Sequence, residues 1–178
     1  MPLFIKKARF SEEIIKDSDD ILRRIDIRLP IAITKPSVSV PPRSPVIFEF
    51  VLDTGADYAN VFPSQLLHSS IIPDASGGMV PLLLYDCSMI FVNMCDVTLW
   101  LYSNLKEFRN KPFRIDLNGG VVILPENQIQ KKNSENDHNN STRDNLPNPL
   151  LGMNALIDAG LKIELNAQSH RYSVWTPD

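Results

Sequence analysis

The stretch VIFEFVLDTGADYANVFP, residues 46–63, carries the main decision about the fold. Its first seven residues, Val46 to Leu52, have the composition of a core β-strand. They end in Asp53-Thr54-Gly55, and at Val61-Phe62-Pro63 the chain turns apolar again. A carboxylate at the end of an apolar strand is costly to bury charged and unpaired, so a fold keeps one there only with a compensating partner. Gly55 frees the backbone to turn, and Thr54 offers a hydroxyl that can bond across a symmetry axis. Asp-Thr-Gly alone is a common tripeptide, because Asp and Gly are favoured in ordinary turns. The apolar flanks exceed what a turn requires and suit a carboxylate held on a tight loop between two core strands.

Outward from this stretch the pattern is mainly β. Ile25, Ile27, Leu29, Ile31 and Ile33 alternate with other residues at the period of a half-buried strand, which Pro30 should confine to an edge or a bulge. TKPSVSVPPRSP, residues 34–45, is a stiff extended connection. VPLLLYDC (80–87), MIFVNMCDVTLWLY (89–102), PFRIDL (112–117) and VVILP (121–125) are strand-like, the last two joined as a hairpin by Asn118-Gly119-Gly120. Leu150-Leu151 forms a short strand, Met153 to Ala159 a two-turn helix stopped by Gly160, and residues 161–165 and 171–175 a last hairpin. Residues 1–24 form an N-terminal extension, in which Ile14, Ile15, Ile21 and Leu22, with Ile25 just beyond, fit one side of a short helix capped by Ser11 or Ser18. Residues 25–178 form the domain. Within it a polar insertion at about 127–146 is too poor in apolar residues to order itself.

At 178 residues the chain has room for one core, and its net charge of −3 gives no electrostatic footprint for nucleic acid or an anionic membrane. No apolar run has the length of a membrane span, and MPLFIKKARFSEEII lacks the features of a signal peptide, so a cytoplasmic protein is expected. Cys87 and Cys95 have no partners at metal-ligand spacing and fit buried thiols. His68, His138 and His170 form no metal motif or nucleophile setting, and no cofactor is implied.

Val51-Leu52-Asp53-Thr54-Gly55-Ala56, followed by Val61-Phe62, resembles the strand-borne motif of the retropepsin-like aspartic peptidases, which include retroviral and retrotransposon proteases and their cellular relatives. Leu150-Leu151-Gly152-Met153-Asn154, running into ALIDAGLKIEL, is similar to that family's second marker near the C-terminus. The resemblance covers about Ile25 to Trp175. It implies a small closed β-barrel with one short C-terminal helix, paired as a homodimer whose two Asp53 carboxylates form the active site.

Asp53, Thr54 and Gly55 would then be the catalytic loop. Ala56 and Asp57 would bind substrate, and Gly77-Gly78 would form the tip of a flap over it. Two adjacent carboxylates share one proton, so one activates the attacking water while the other stabilises the oxyanion. The implied substrate is a polypeptide with apolar residues near the scissile bond, the protein's own precursor included. Met153 stands where retroviral members often carry Arg, so a charge partner for Asp57 is missing. The other reading is a non-enzymatic homodimer that serves binding or assembly. Against it, Asp53, Thr54 and Gly55 are all intact. Asp158-Ala159-Gly160 falls at the end of the expected helix, where Asp158 should be exposed, and does not supply a second catalytic acid.

Overall fold

The computed structural model describes residues 4–9, 11–17, 20–83, 87–103, 111–126, 148–166, 168–169 and 171–177, with side chains from residue 26 onward. Strand accounts for 44% and helix for 11%, which makes the fold mainly β. At its centre β4 (Arg28–Thr34) and β5 (Ile47–Leu52) run antiparallel within a curled nine-stranded sheet. β4 also pairs with β9 (Thr98–Leu101), which carries β10 (Phe113–Asp116) on its far side. Beyond β5 come, in order, β12 (Leu150–Leu151), β6 (Asn60–Val61), β11 (Val121–Ile123), β8 (Met89–Cys95) and β7 (Gly78–Leu83). Helix α1 (Pro63–His68) follows β6, and α2 (Met153–Ala159) follows β12. No helix among the described residues is long and apolar enough to cross a membrane.

The alternation in β4 buries Leu29, Ile31 and Ile33 against Phe50, Leu99, Leu101 and Leu151. Each such side chain contributes roughly 1.5–3 kcal/mol on leaving water. β9 is buried along its whole length, and Trp100 meets that burial by donating its indole N–H to Thr34 Oγ1 at 2.8 Å. Pro30 is not at an edge, contrary to expectation, since β4 is paired on both sides. Its carbonyl accepts the Tyr102 N–H at 2.9 Å, just past the Ile31–Leu101 end of the β9 ladder. Pro30 cannot return the N–H bond that a hydrogen-bonded pair with Tyr102 would otherwise make, so the β9 ladder ends at this pair with a single bond.

Four further expectations are corrected. The sheet does not close into a barrel: β10 and β7 are its ends, and Pro81 on one and Arg114 and Asp116 on the other blunt those edges instead of joining them. Asn118-Gly119-Gly120 does not make a hairpin, because β10 pairs with β9 while β11 pairs with β6 and β8. Gly120 instead has φ +84° and lies so close to the Cys95 carbonyl that a Cβ there would sit 2.3 Å from its oxygen. The helix expected within residues 11–24 is a hairpin of β2 (Ser11–Asp17) and β3 (Asp20–Asp26). Its isoleucines are β-branched and favour strand, and the register sets Ile15 opposite Leu22 and Glu13 opposite Arg24. The boundary expected after residue 24 thus falls inside β3, and β1 (Phe4–Arg9) pairs with the C-terminal β14 (Arg171–Trp175). Finally, Cys95 is buried but Cys87 is exposed, at φ +63°.

The C-terminal expectations hold. β12 and α2 occupy their expected residues, Gly160 ends α2 at φ 58°, and β13 (Lys162–Asn166) forms the last hairpin with β14. Asp158 is exposed and accepts the Asn118 N–H at 2.8 Å. The polar insertion at about 127–146 lies outside the described residues.

Tyr172 on β14 ties the terminal sheet to β4 by donating its hydroxyl to the Arg28 carbonyl at 2.6 Å. Burial holds the phenol up to about 12, against 10 for a free one. The folded state thus keeps this proton where the unfolded chain loses it, so stability should be full below about pH 10 and fall as pH rises to about 12. Urea titrations across that range should show the fall in wild type and a shallower one in Tyr172→Phe. Equal slopes would assign the alkaline loss to other groups.

Candidate active site

Asp53 follows directly on β5, and the chain returns to the sheet at β6. Between those two strands runs β12, parallel to β5 and antiparallel to β6. Val51 donates its N–H to the Pro149 carbonyl at 2.8 Å, and Asp53 donates its N–H to the Leu151 carbonyl at 3.1 Å. The base of the loop is therefore clamped by a strand from the far end of the chain.

The tip is held by the next turn of that same segment. The first N–H groups of a helix have no partner within it. In α2 they go to the loop: Met153 N–H to the Ala56 carbonyl at 2.8 Å, and Asn154 N–H to the Asp57 carbonyl at 3.0 Å. Gly152, at the cap position, has no side chain to serve this role. It could not carry one, since a Cβ would lie 2.3 Å from the Tyr58 carbonyl carbon and 2.8 Å from the Ala56 oxygen. Asn154 Oδ1 accepts the N–H of the fully buried Ala59 at 2.7 Å, from 95 residues away in sequence.

Asn154→Ala should cost about 1–3 kcal/mol, because it leaves the Ala59 N–H buried and unpaired. Asn154→Asp keeps the acceptor and should retain most of that stability in urea unfolding. Equal losses in both variants would contradict this role. The sequence singled out Gly152 and Asn154 as parts of a marker but gave them no task. The signal was there: a helix preceded by Gly, with no Ser, Thr or Asp to cap it, must find its acceptors elsewhere.

On this frame Asp53 is half-buried, and its Oδ1 accepts the Gly55 N–H at 2.9 Å. A Cβ on Gly55 would come within 3.3 Å of that oxygen. The other carboxylate oxygen has no partner among the described residues. Thr54 is exposed, and its hydroxyl has no partner among the described residues. Ala56 is half-buried and spends its carbonyl on α2, while the Asp57 carboxylate is exposed with no ion pair among the described residues. The loop therefore presents one oriented carboxylate, an open hydroxyl and a second carboxylate on a rigid support. Chemically this can take up or release a proton at a fixed place.

Gly77 and Gly78 are not at a hairpin tip. β7 and β8 pair from Leu83–Met89 to Gly78–Met94, and the two glycines stand at the Met94 end, farthest along the chain from the β7–β8 connection, with the Gly77 N–H on the Met94 carbonyl at 3.0 Å. Gly77 is required for packing, since a Cβ would meet both Gly119 O and Met94 Cβ at 2.8 Å. Gly78 needs its freedom for φ +83°. Tyr58 joins the two regions by packing against the buried cluster of Val92, Met94 and Val122, which Val80, Leu82 and Ile90 also cover. Near the loop, Val61 and Leu151 are fully buried and belong to the core, while Leu52, Val80 and Leu82 are half-buried.

Compared with protein-family models and with curated proteins, the chain matches none.

Proposed function

We propose that the protein is an aspartic endopeptidase of the retropepsin-like kind, active as a homodimer with Asp53 of each copy at the axis. The observation that carries this reading is the joining of the two sequence markers. Asp53-Thr54-Gly55-Ala56-Asp57 and Leu150-Leu151-Gly152-Met153-Asn154 lock together through three backbone hydrogen bonds and a glycine contact that admits no side chain. A loop braced in this way holds a carboxylate in a fixed place, as positioning a reacting group demands.

In the dimer one carboxylate takes a proton from a water that attacks the scissile carbonyl. The other, protonated, stabilises the developing oxyanion and supplies its proton. The open Thr54 hydroxyl is free to brace the loops across the axis, and Asp57 to meet substrate main chain. The polypeptide substrate is taken to have apolar residues near the cut, on the strength of the resemblance. The test is incubation with a diverse peptide mixture from mildly acidic to neutral pH, with products identified by mass spectrometry. Discrete cleavage products that vanish in the Asp53→Asn protein are expected. No cleavage by a folded dimer would instead favour a binding or assembly module.

A further inference from the structure

We infer that the outer face of the β7–β8 hairpin is a second contact between copies of this chain, apart from the Asp53 loop. The inner face of the hairpin packs on Tyr58, Val122 and Leu124. The outer face carries Met79, Pro81 and Leu83 from β7 and Met89, Phe91 and Asn93 from β8, set side by side by the register and all exposed. A solvent-facing antiparallel strand normally alternates apolar with polar residues. Here both faces are apolar, so the outer one has the composition of a surface meant to be covered.

Three observations select a second copy as the cover. The first is charge: neither strand contains a charged residue, so the patch is its own complement and can meet itself about a two-fold axis without like-charge repulsion. The second is area. Large apolar side chains offer roughly 150–250 Å² each, and exposures of 61, 66, 62 and 67% at Met79, Leu83, Met89 and Phe91 leave on the order of 500 Å² in water. A stable contact buries about 800 Å² per partner with an apolar core and a polar rim, so this patch is the right size for that core.

The third is the shape of the edge. Pro81 cannot donate a ladder bond, so its backbone must face outward on the edge strand, where it blunts β7 against an added peptide strand. A face contact is left. An anionic lipid surface is disfavoured, since no Lys or Arg occurs between Ser44 and Leu105 to attract it.

The test is sedimentation velocity over a range of protein concentrations on wild type, Phe91→Glu and, as a control on the other sheet, Leu165→Glu. Wild type and Leu165→Glu should associate alike. Phe91→Glu should stop one doubling earlier, its association weakened at least about tenfold, with an unchanged unfolding midpoint. If Phe91→Glu does not fold, Met79→Gln combined with Leu83→Gln reads the same face. Unchanged association in the hairpin variants would overturn the inference, as would binding of wild type to phosphatidylcholine vesicles that these changes abolish. Peptide cleavage, assayed separately, reports on the Asp53 reading, so either can fail without the other.

Discussion

Asp53→Asn is expected to lower peptide cleavage by about 10³-fold or more in kcat/KM while leaving the protein folded. The two halves of that expectation have separate physical origins. Asn keeps an oxygen where Oδ1 accepts the Gly55 N–H at 2.9 Å, so the turn retains its internal bond. The Asp53 N–H and the Leu151 carbonyl are backbone groups and are untouched by the change. What Asn cannot do is exchange a proton with water or an oxyanion. The unfolding midpoint should therefore stay within a degree or two, while products disappear from the mass spectrum. Cleavage that persists at the wild-type rate would remove Asp53 from the chemistry.

Gly152→Ala is expected to cause a large loss of stability. The new methyl would stand 2.3 Å from the Tyr58 carbonyl carbon and 2.4 Å from its oxygen, and those are backbone atoms that cannot swing aside. Relief requires pushing α2 and the Asp53 loop apart, which breaks the bonds from Met153 and Asn154 to Ala56 and Asp57. A cost of about 3 kcal/mol or more follows, or a fall of roughly 6–12 °C in Tm for a chain of this size. Gly78→Ala is the control. It has φ +83° but nothing within 4 Å, so only backbone strain of about 1 kcal/mol is due. Equal losses in the two variants would mean that the close approach at Gly152 is not what holds the loop.

The parts of the fold legible in the sequence are those fixed by local chemistry. Strand β5 follows from an apolar run, α2 from a periodic segment with Gly160 as its stop, and the last hairpin from two strand-like runs with a polar turn. What the sequence hid was pairing at long range. Asn118-Gly119-Gly120 carries the chemistry of a hairpin, yet Gly120 is needed for its approach to Cys95, and the strands on either side go to different neighbours. Gly77-Gly78 likewise reads as a turn, but packing against Met94 and Gly119 claims Gly77, and a left-handed backbone at the start of β7 claims Gly78. At the N-terminus, a spacing that fits one side of a helix also fits two short isoleucine-bearing strands, and pairing decided between them.

The candidate site was legible to a different degree. Asp53 stood out because an acid between two apolar runs needs a reason, whereas the bracing by Gly152 and Asn154 depends on a contact across 95 residues. The uncapped start of α2 shows that acceptors are needed, but no local pattern shows where they lie.

The most direct test of an active site shared by two copies is a mixing experiment. Wild type and Asp53→Asn are combined in equal amounts, allowed to exchange, and assayed at fixed total protein. If both Asp53 carboxylates are required, activity should fall to about a quarter of that of wild type alone, because only that share of randomly formed dimers carries two acids. A fall to only about half would mean that each copy works alone, and no cleavage by wild type would contradict the enzyme reading itself.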